Sequence, residues 1–401
     1  MSEPAPANGV WAAVPSGQQL QGEGRVHPGQ RRRVLVTDGG NGWSRDTVAA
    51  VRALADGGYR PSVAASGPFR LPAPSRYCEQ RIRVPRADDP RYREAVLAEA
   101  ERGDYLTVLP SNERALAALG VAVPHLLDKV GLNAAAEAAG IPIPPSRLFE
   151  SLDAVLSSAD ELDYPVVVKP TTRRYWAFYA DSPAHLTEGG TDYGPVLVQP
   201  FLMDQLRAIS GVVWQGRLVA AVHERWLRIW PVPCGLPSAA ETISAELDVE
   251  ERLEALLQGY QGLFNAQFAG PYLLDLNLRV HSTLPLAVSA GVNLVARYCD
   301  LLRGESPEMV RARPGVFFRW LEGDVRHVLS GVRKGTIDLP RAARLLKPHP
   351  GAAHSIESIR DPMPGIARAW MAVSHRVLRR PPSHIGLPEG PGQAPGPAGG
   401  T

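Results

Sequence analysis

Residues 273–280 (LLDLNLRV) alternate between apolar and polar side chains, a pattern typical of a half-buried β-strand. Side chains two positions apart in a strand point to the same face, so Asp275, Asn277 and Arg279 would line one side. The stretch that begins at residue 264 is predicted to be a second strand, and Gln267 interrupts it. We therefore predict a hairpin with polar side chains on an otherwise apolar background. The residues predicted to line its apolar side are Leu274, Leu276 and Leu278.

Polar side chains on a buried strand face cost roughly 1–3 kcal/mol each unless they find partners. Magnesium would supply such partners, because it binds hard oxygen ligands, usually one or two carboxylates plus phosphate oxygens. Gln267, Asp275 and Asn277 offer three oxygens, and Arg279 could neutralise a phosphate. A structural Asp–Arg pair with amides exposed on an edge strand explains the same residues. The chemistry alone does not separate the two interpretations.

Upstream, from residue 33, short apolar strands alternate with amphipathic helices, which favours a parallel sheet with crossover connections. Ser44 is predicted to cap the first helix, and Gly57 to end it. The loop between the first strand and this helix is glycine-rich but reads GGNG rather than GxGxxG. No acidic residue ends the second strand. A dinucleotide-dependent oxidoreductase, a third interpretation of this chain, therefore lacks its fingerprint.

The overall charge and the cysteines exclude several other classes of protein. The chain has 401 residues and a formal net charge of +2, so no strong field recruits nucleic acid or an anionic membrane. Its three cysteines are far apart, which argues against a disulfide framework and favours a reducing compartment. No apolar run approaches the ~18 residues that span a bilayer. We expect a cytoplasmic protein without nucleic-acid or membrane partners.

The hairpin resembles the terminal motif of ATP-grasp enzymes, an acidic residue, then Asn, then Arg at alternate positions after a strand that ends in Glu or Gln. The carbamoyl-phosphate synthetase branch is the most similar, since a glutamine takes the first ligand position there. The resemblance implies that Gln267, Asp275 and Asn277 hold Mg²⁺ (or Mn²⁺). It also implies that Arg279 faces the transferred phosphate of ATP as the catalytic arginine.

Four further segments resemble the same family in order and spacing. Lys129, at the start of an alanine-rich helix, resembles its first nucleotide-contacting basic residue, and Lys169 in YPVVVKP resembles the lysine that reaches the ATP phosphates. Residues 196–202 (VLVQPFL) resemble the hinge that reads adenine. The strand with His223-Glu224-Arg225 and Pro231 resembles the one beside the acceptor pocket. The hinge residues implied to bind ATP are Gln199, Phe201 and Leu202, and the candidate substrate-carboxylate clamps are Arg225 and Arg228.

The segment after Lys169 departs from the family, which usually has a glycine-rich loop there. Here it reads TTRRYWAFYADS, without glycine, so Arg173 and Arg174 are predicted to contact the ATP phosphates instead. Asp275 is also one methylene shorter than the commoner glutamate.

The resemblance implies an α/β ATP-grasp fold with an N-terminal Rossmann-like domain and a C-terminal helical appendage. The predicted divisions are a disordered tail (1–32), the Rossmann-like domain (33–125), a small ATP-binding subdomain (126–195), the C-terminal ATP-grasp subdomain (196–304), the helical appendage (305–380) and a Pro/Gly-rich tail (381–401).

The reaction implied is ATP-dependent ligation of a carboxylate to an amine through an acylphosphate. The expected partners are small-molecule substrates, with amino acids favoured, and a homodimer is compatible with the family. The alternative is an ATP-binding regulatory or catalytically silent protein on the same fold.

Overall fold

The computed structural model describes residues 32–40, 44–66, 75–120, 123–171, 177–187, 194–306 and 308–377. The predicted tails lie outside these ranges, except for residue 32. Within the described residues, no helix combines the length and apolar character needed to span a membrane.

The first part of the chain forms a parallel sheet, as the strand–helix alternation predicts. Its order is β3-β2-β1-β4, and every pairing is parallel. Ser44 caps the first helix by accepting a hydrogen bond from the Thr47 N–H, and Gly57 ends it, so both predictions are confirmed. The elements are β1 (Arg33–Thr37), α1 (Arg45–Asp56), β2 (Arg60–Ala65), β3 (Arg81–Arg83), α2 (Tyr92–Arg102), β4 (Thr107–Pro110) and α3 (Glu113–Leu119).

A small antiparallel sheet of order β5-β8-β6-β7 follows. Val166, Val168 and Val198 on one face belong to an apolar cluster closed by helices. Because side chains alternate along β6 and β8, Lys169 and Gln199 point to the other face. The elements are α4 (Lys129–Ala138), β5 (Arg147–Phe149), α5 (Leu152–Ser157), β6 (Val166–Pro170), β7 (Phe178–Ala180), α6 (Pro183–Leu186) and β8 (Val196–Pro200).

The large sheet has the order β13-β12-β9-β10-β11-β15-β16, and β14 pairs with β10. A turn at Gln215 and Gly216 joins β9 to β10, and both residues have positive φ angles. The elements through residue 302 are β9 (Leu206–Trp214), β10 (Arg217–Trp230), β11 (Leu236–Thr242), α7 (Leu247–Leu256), β12 (Gly262–Ala269), β13 (Tyr272–Asn277), α8 (Leu284–Ser289) and α9 (Leu294–Leu302).

The predicted hairpin is present, but its second strand differs from the prediction in two ways. β13 ends at Asn277, so Arg279 lies beyond the strand. The register shifts between Gln267, which faces Asp275, and Phe268, which faces Leu273. Leu274 is therefore the extra residue of a β-bulge and is only partly buried, whereas Leu276 and Leu278 are fully buried.

The C-terminal segment was predicted to be helical, but it also contributes strands to the large sheet. β14 runs parallel to β10, and β15 and β16 extend the sheet beyond β11. The elements are β14 (Val310–Arg311), β15 (Phe317–Arg319), α10 (Leu321–Arg333), α11 (Leu339–Leu346), β16 (Ala353–His354) and α12 (Met363–Val377).

Asp361 attaches this C-terminal segment to the N-terminal domain. Its buried carboxylate accepts hydrogen bonds from Arg52 Nε at 2.9 Å, Ser75 Oγ at 2.8 Å and the Arg76 N–H at 3.0 Å. Arg52 also donates to the Ile356 carbonyl at 3.0 Å. The C-terminal segment is therefore part of the folded body that holds the N-terminal sheet.

We expect Asp361→Ala to lower the free energy of unfolding by about 3 kcal/mol, because it leaves Arg52 without its carboxylate. Urea denaturation measures the change. The control is Asp88→Ala, which removes a pair with Arg86 in which both side chains are more than half exposed. That control should cost less than about 1 kcal/mol. Equal, small effects of both variants would contradict the proposed anchoring role.

Candidate nucleotide and metal site

Two lysines from the small subdomain meet the large sheet at the bulge in β13. Lys129 begins α4, which Asp128 caps, and its Nζ lies 2.5 Å from Asp275 Oδ1. Lys169, near the end of β6, donates from Nζ to the Leu274 carbonyl at 3.1 Å. The bulge thus supplies the carbonyl that Lys169 binds. The structure brings together two predicted phosphate ligands and one predicted metal ligand.

These lysines are unusual in an arginine-rich chain. The sequence has only four lysines, at 129, 169, 334 and 347, and two of them meet here. Burial and, to a smaller extent, the neighbouring Lys129 ammonium lower the pKa of Lys169 to about 8, while Asp275 opposes the shift. Two ammonium groups beside one carboxylate leave an excess of positive charge, which suits an anionic ligand such as a phosphate.

The three predicted metal ligands lie together on one face of the hairpin; we call Gln267, Asp275 and Asn277 the polar row. Gln267 faces Asp275 across the strands, and Asn265 faces Asn277. Asn265 was not predicted. Its Oδ1 accepts from Gln267 Nε2 at 3.1 Å and from Asn277 Nδ2 at 3.5 Å, and its own Nδ2 donates to Ser210 Oγ at 2.8 Å. This arrangement turns the amide nitrogens of the row toward Asn265 and its amide oxygens away.

The donor set of the polar row fits a magnesium ion that takes its remaining ligands from phosphate. One carboxylate and two amide oxygens are hard donors, and Mg²⁺ often binds through one or two carboxylates plus phosphates. Within the described ranges, no group of three or more His, Cys, Asp or Glu side chains could hold a metal alone. The row therefore suits a metal that arrives with a nucleotide.

The hinge residues lie at the end of β8 and beyond it. Gln199 is buried, and its Nε2 donates to Ser146 Oγ at 2.8 Å. The Phe201 N–H donates to the Pro165 carbonyl at 2.9 Å. The Phe201 and Tyr179 rings pack edge to face, with their centroids 5.0 Å apart. An adenine base would compete for that N–H. The binding of adenine by Gln199, Phe201 and Leu202 stays a prediction.

Arg279 lies beside the polar row but is held by carboxylates of the N-terminal domain. Its Nε donates to Glu113 Oε1 at 2.9 Å and its Nη1 to Asp46 Oδ2 at 2.8 Å. Its contact with Asn277 Oδ1 is long, at 3.5 Å. A catalytic role for Arg279 would require its guanidinium to exchange these partners for phosphate, and it stays a prediction.

The two predicted carboxylate clamps, Arg225 and Arg228, each pair with a carboxylate of the protein, and their role in substrate binding stays a prediction. Arg225 is one position along β10 from Glu224, which shares the face of Gln267, so Arg225 points to the opposite face and pairs with Glu241. Arg228 is engaged by the fully buried Asp324 through two hydrogen bonds. Arg173 and Arg174 lie outside the described residues, so their predicted role is untested.

Glu224 is a buried carboxyl group on the same face as the polar row. A single line of paired residues crosses four strands, from Asp275 through Gln267 and Ala208 to Glu224. Only 1% of Glu224 is exposed. Its Oε1 accepts from Trp226 Nε1 at 2.9 Å. Burial raises its pKa to about 7, and the hydrogen bonds that it accepts oppose this.

Some residues near the polar row were not predicted from the sequence, and only one of them could have been found from a local pattern. Asn265 stands two positions before Gln267, so the strand alternation used for 275–279 could have identified it. Asp46 and Glu113 are 233 and 166 positions from Arg279, and no local pattern connects them. Glu224 adjoins Arg225, but its face depends on the register of three strand pairs.

Comparison with known proteins supports the fold that carries these residues. No family model matches the chain. The chain is 26% identical over 192 residues, 41% of its length, to the carbamoyl phosphate synthase large chain of Xanthomonas campestris pv. campestris, and this match spans 17% of that protein. An N5-carboxyaminoimidazole ribonucleotide synthetase in complex with ADP has a TM-score of 0.53 at 16% identity, over 77% of this chain and 86% of that one. An L-amino acid ligase from Bacillus licheniformis has a TM-score of 0.51 at 15% identity, over 68% and 74%.

In this chain, Lys129 and Lys169 of the small antiparallel sheet region contact the large sheet. The solved structures show that the chain has the ATP-grasp fold, as its motifs predict. Its sequence is similar to part of the carbamoyl phosphate synthase large chains, and the chain spans less than a fifth of their length. The similar proteins named above are a synthase, a synthetase and a ligase.

We expect Glu224→Gln to stabilise the ligand-free protein above pH 7. The unfolded carboxyl ionises near its ordinary pKa, whereas the folded one keeps its proton up to about pH 7, so wild-type stability falls as pH rises through this window. The variant should exceed wild type by about 3 kcal/mol at pH 8 and by little at pH 4. Urea denaturation across pH tests this, with Glu241→Gln as the matched control. A pH-independent difference would mean that Glu224 ionises normally.

Proposed function

We propose that this chain is an ATP-dependent ligase that joins a carboxylate to an amine through an acylphosphate. The observation that carries the proposal is the meeting of Lys129, Lys169 and Asp275 at the bulge, beside the rest of the polar row. The similarity to named ligases and synthetases supports the same chemistry. Mg²⁺ bound with ATP would neutralise the phosphate charge that develops during transfer.

The residues of the chain act by positioning and charge neutralisation. Asp275, Asn277 and Gln267 would hold the metal, which requires the Lys129 ammonium to leave Asp275 for a phosphate oxygen. Lys169 would hold a second phosphate oxygen. With the γ-phosphate fixed in this way, a substrate carboxylate oxygen attacks the phosphorus and ADP leaves.

An amine then attacks the acyl carbon, loses a proton and displaces phosphate, which forms the new carbon–nitrogen bond. These steps need no covalent enzyme nucleophile. Small-molecule substrates, a cytoplasmic location and a homodimer remain predictions from the sequence.

One observation favours the second candidate, an ATP-binding protein without turnover. The polar row contains a single carboxylate, Asp275, and that carboxylate is already paired with Lys129. Release of ADP and phosphate, measured with Mg-ATP and a panel of amino acids, separates the two functions. Product release that depends on the added substrates supports the ligase. ATP binding without turnover across the panel supports the silent protein.

We expect Asp275→Ala and Asn277→Ala each to reduce metal-dependent ATP turnover roughly 100-fold or more, because each removes a metal-oriented oxygen. Both should remain folded, as shown by an unchanged urea midpoint or a small shift. Asp248→Ala, at an exposed carboxylate on α7, is the control that should keep wild-type turnover. Wild-type rates for both row variants would refute the metal assignment.

We expect Lys169→Met to weaken ATP binding about tenfold or more, the loss of one charge-assisted hydrogen bond of roughly 1.5–3 kcal/mol. Calorimetric titration with a non-hydrolysable ATP analogue measures the affinity. Lys334→Met, at an exposed lysine, is the matched control. Equal affinity of both variants for the ATP analogue would show that Lys169 does not bind the nucleotide.

A further inference from the structure

Asp46 and Glu113 have no role in the reaction as described, although both contact Arg279. They belong to the N-terminal domain, whereas Arg279 follows β13 of the large sheet. The side chains of Arg279, Asp46 and Glu113 keep 16%, 20% and 18% of their surface exposed. Two partly buried carboxylates on one guanidinium therefore join the N-terminal domain to the large sheet, directly beside the polar row.

The two carboxylates are held in a fixed relation to each other. Asp46 lies in the first turn of α1, and Glu113 begins α3. Both helices start at the carboxyl edge of the parallel sheet, after the paired strands β1 and β4. A hydrogen bond of 2.6 Å between Thr47 Oγ1 and Ser111 Oγ links the start of α1 to the turn before α3. The guanidinium thus binds a preformed pair of acceptors.

Arg279 has a second set of acceptors in the polar row. Its Nη2 lies 3.5 Å from Asn277 Oδ1, the amide oxygen proposed to bind the metal. Burial opposes a rise in the pKa of Arg279, yet the surrounding carboxylates, among them that of Asp275, raise it above its ordinary value. The guanidinium is therefore attracted to the same side chains that Mg²⁺ would use, because both cations bind carboxylate and amide oxygens.

We propose that Asp46 and Glu113 are positioning residues that hold Arg279 away from the metal ligands of the polar row. The proposal rests on the proposed function, because it concerns the Mg-ATP site of the ligase. With both carboxylates present, the guanidinium makes two charge-assisted hydrogen bonds, at 2.8 and 2.9 Å, and only a long contact with Asn277.

Without Asp46 and Glu113, a partly buried guanidinium would lack its counter-charges and pair with Asp275 and Asn277 instead. There it would occupy metal-binding oxygens and repel Mg²⁺. The N-terminal domain therefore sets the metal affinity of a site whose ligands it does not contain.

A simpler explanation of the two carboxylates is that acidic residues in the first turn of a helix stabilise the helix dipole. That explanation predicts a change in stability that is independent of residue 279, and no change in metal affinity. The two explanations are separated by a double-mutant cycle between the carboxylates and Arg279.

The cycle compares wild type, the double variant Asp46→Asn/Glu113→Gln, the single variant Arg279→Gln, and the triple variant. Electron paramagnetic resonance measures Mn²⁺ binding in the presence of ADP, which lacks the γ-phosphate that Arg279 is predicted to face. The double variant should bind Mn²⁺ about tenfold more weakly than wild type, within the range of coupling between contacting residues. The triple variant should match Arg279→Gln within about twofold, because the competing cation is absent from both.

Two further variants serve as controls. Glu94→Gln removes an exposed carboxylate from the first turn of α2 and should keep the wild-type affinity for Mn²⁺. Asp46→Glu keeps the negative charge and should retain most of that affinity. If the double variant does not fold, Asp46→Asn and Glu113→Gln enter the cycle singly, each with an expected loss of about threefold.

The inference is overturned if removal of the carboxylates leaves the affinity for Mn²⁺ unchanged, or if it lowers that affinity equally with and without Arg279. Either result leaves the proposed function standing, provided that wild type binds Mn²⁺ with ADP. If wild type binds neither Mn²⁺ nor ADP, the proposed function fails and this inference fails with it.

Discussion

The ion pair between Lys129 and Asp275 joins the small subdomain to the large sheet at the point where the nucleotide would bind. Each partner has a second use in the proposed reaction, the lysine for a phosphate and the aspartate for a metal. In the ligand-free protein they compensate each other, which avoids the cost of leaving two partly buried charges unpaired. Binding of Mg-ATP would replace this one pair by two, Lys129 with a phosphate oxygen and Asp275 with the metal.

The bulge at Leu274 and the asparagine at 265 extend this arrangement into the sheet. The bulge exposes a backbone carbonyl to Lys169, and Asn265 orients both amides of the polar row through one acceptor oxygen. Arg279 is likewise held by Asp46 and Glu113 rather than left exposed. Lys129, Asp275, Lys169 and Arg279 therefore each have a protein partner in the absence of ligand. A ligand must compete with these contacts to bind.

The resemblance of several motifs to one family predicted the ATP-grasp fold, whereas local patterns predicted the Ser44 cap, the hairpin and the shared face of Asp275 and Asn277. These last three features depend on spacing along one strand or one helix, or on two adjacent strands, which the sequence displays directly. The face on which Arg225 lies depends on the register of the strands. The partner of Arg228 is Asp324, which is 96 positions away. No local sequence pattern indicates either feature. The strands of the C-terminal segment are only two or three residues long, too short for any alternation to reveal them.

The most direct test of the account is a crystal structure of the protein with Mn²⁺ and a non-hydrolysable ATP analogue, because anomalous scattering locates the metal without assumption. The account predicts manganese coordinated by Asp275 and Asn277, with the Lys129 ammonium moved from Asp275 to a phosphate oxygen. Manganese elsewhere, or a Lys129–Asp275 pair that persists beside bound nucleotide, would contradict it.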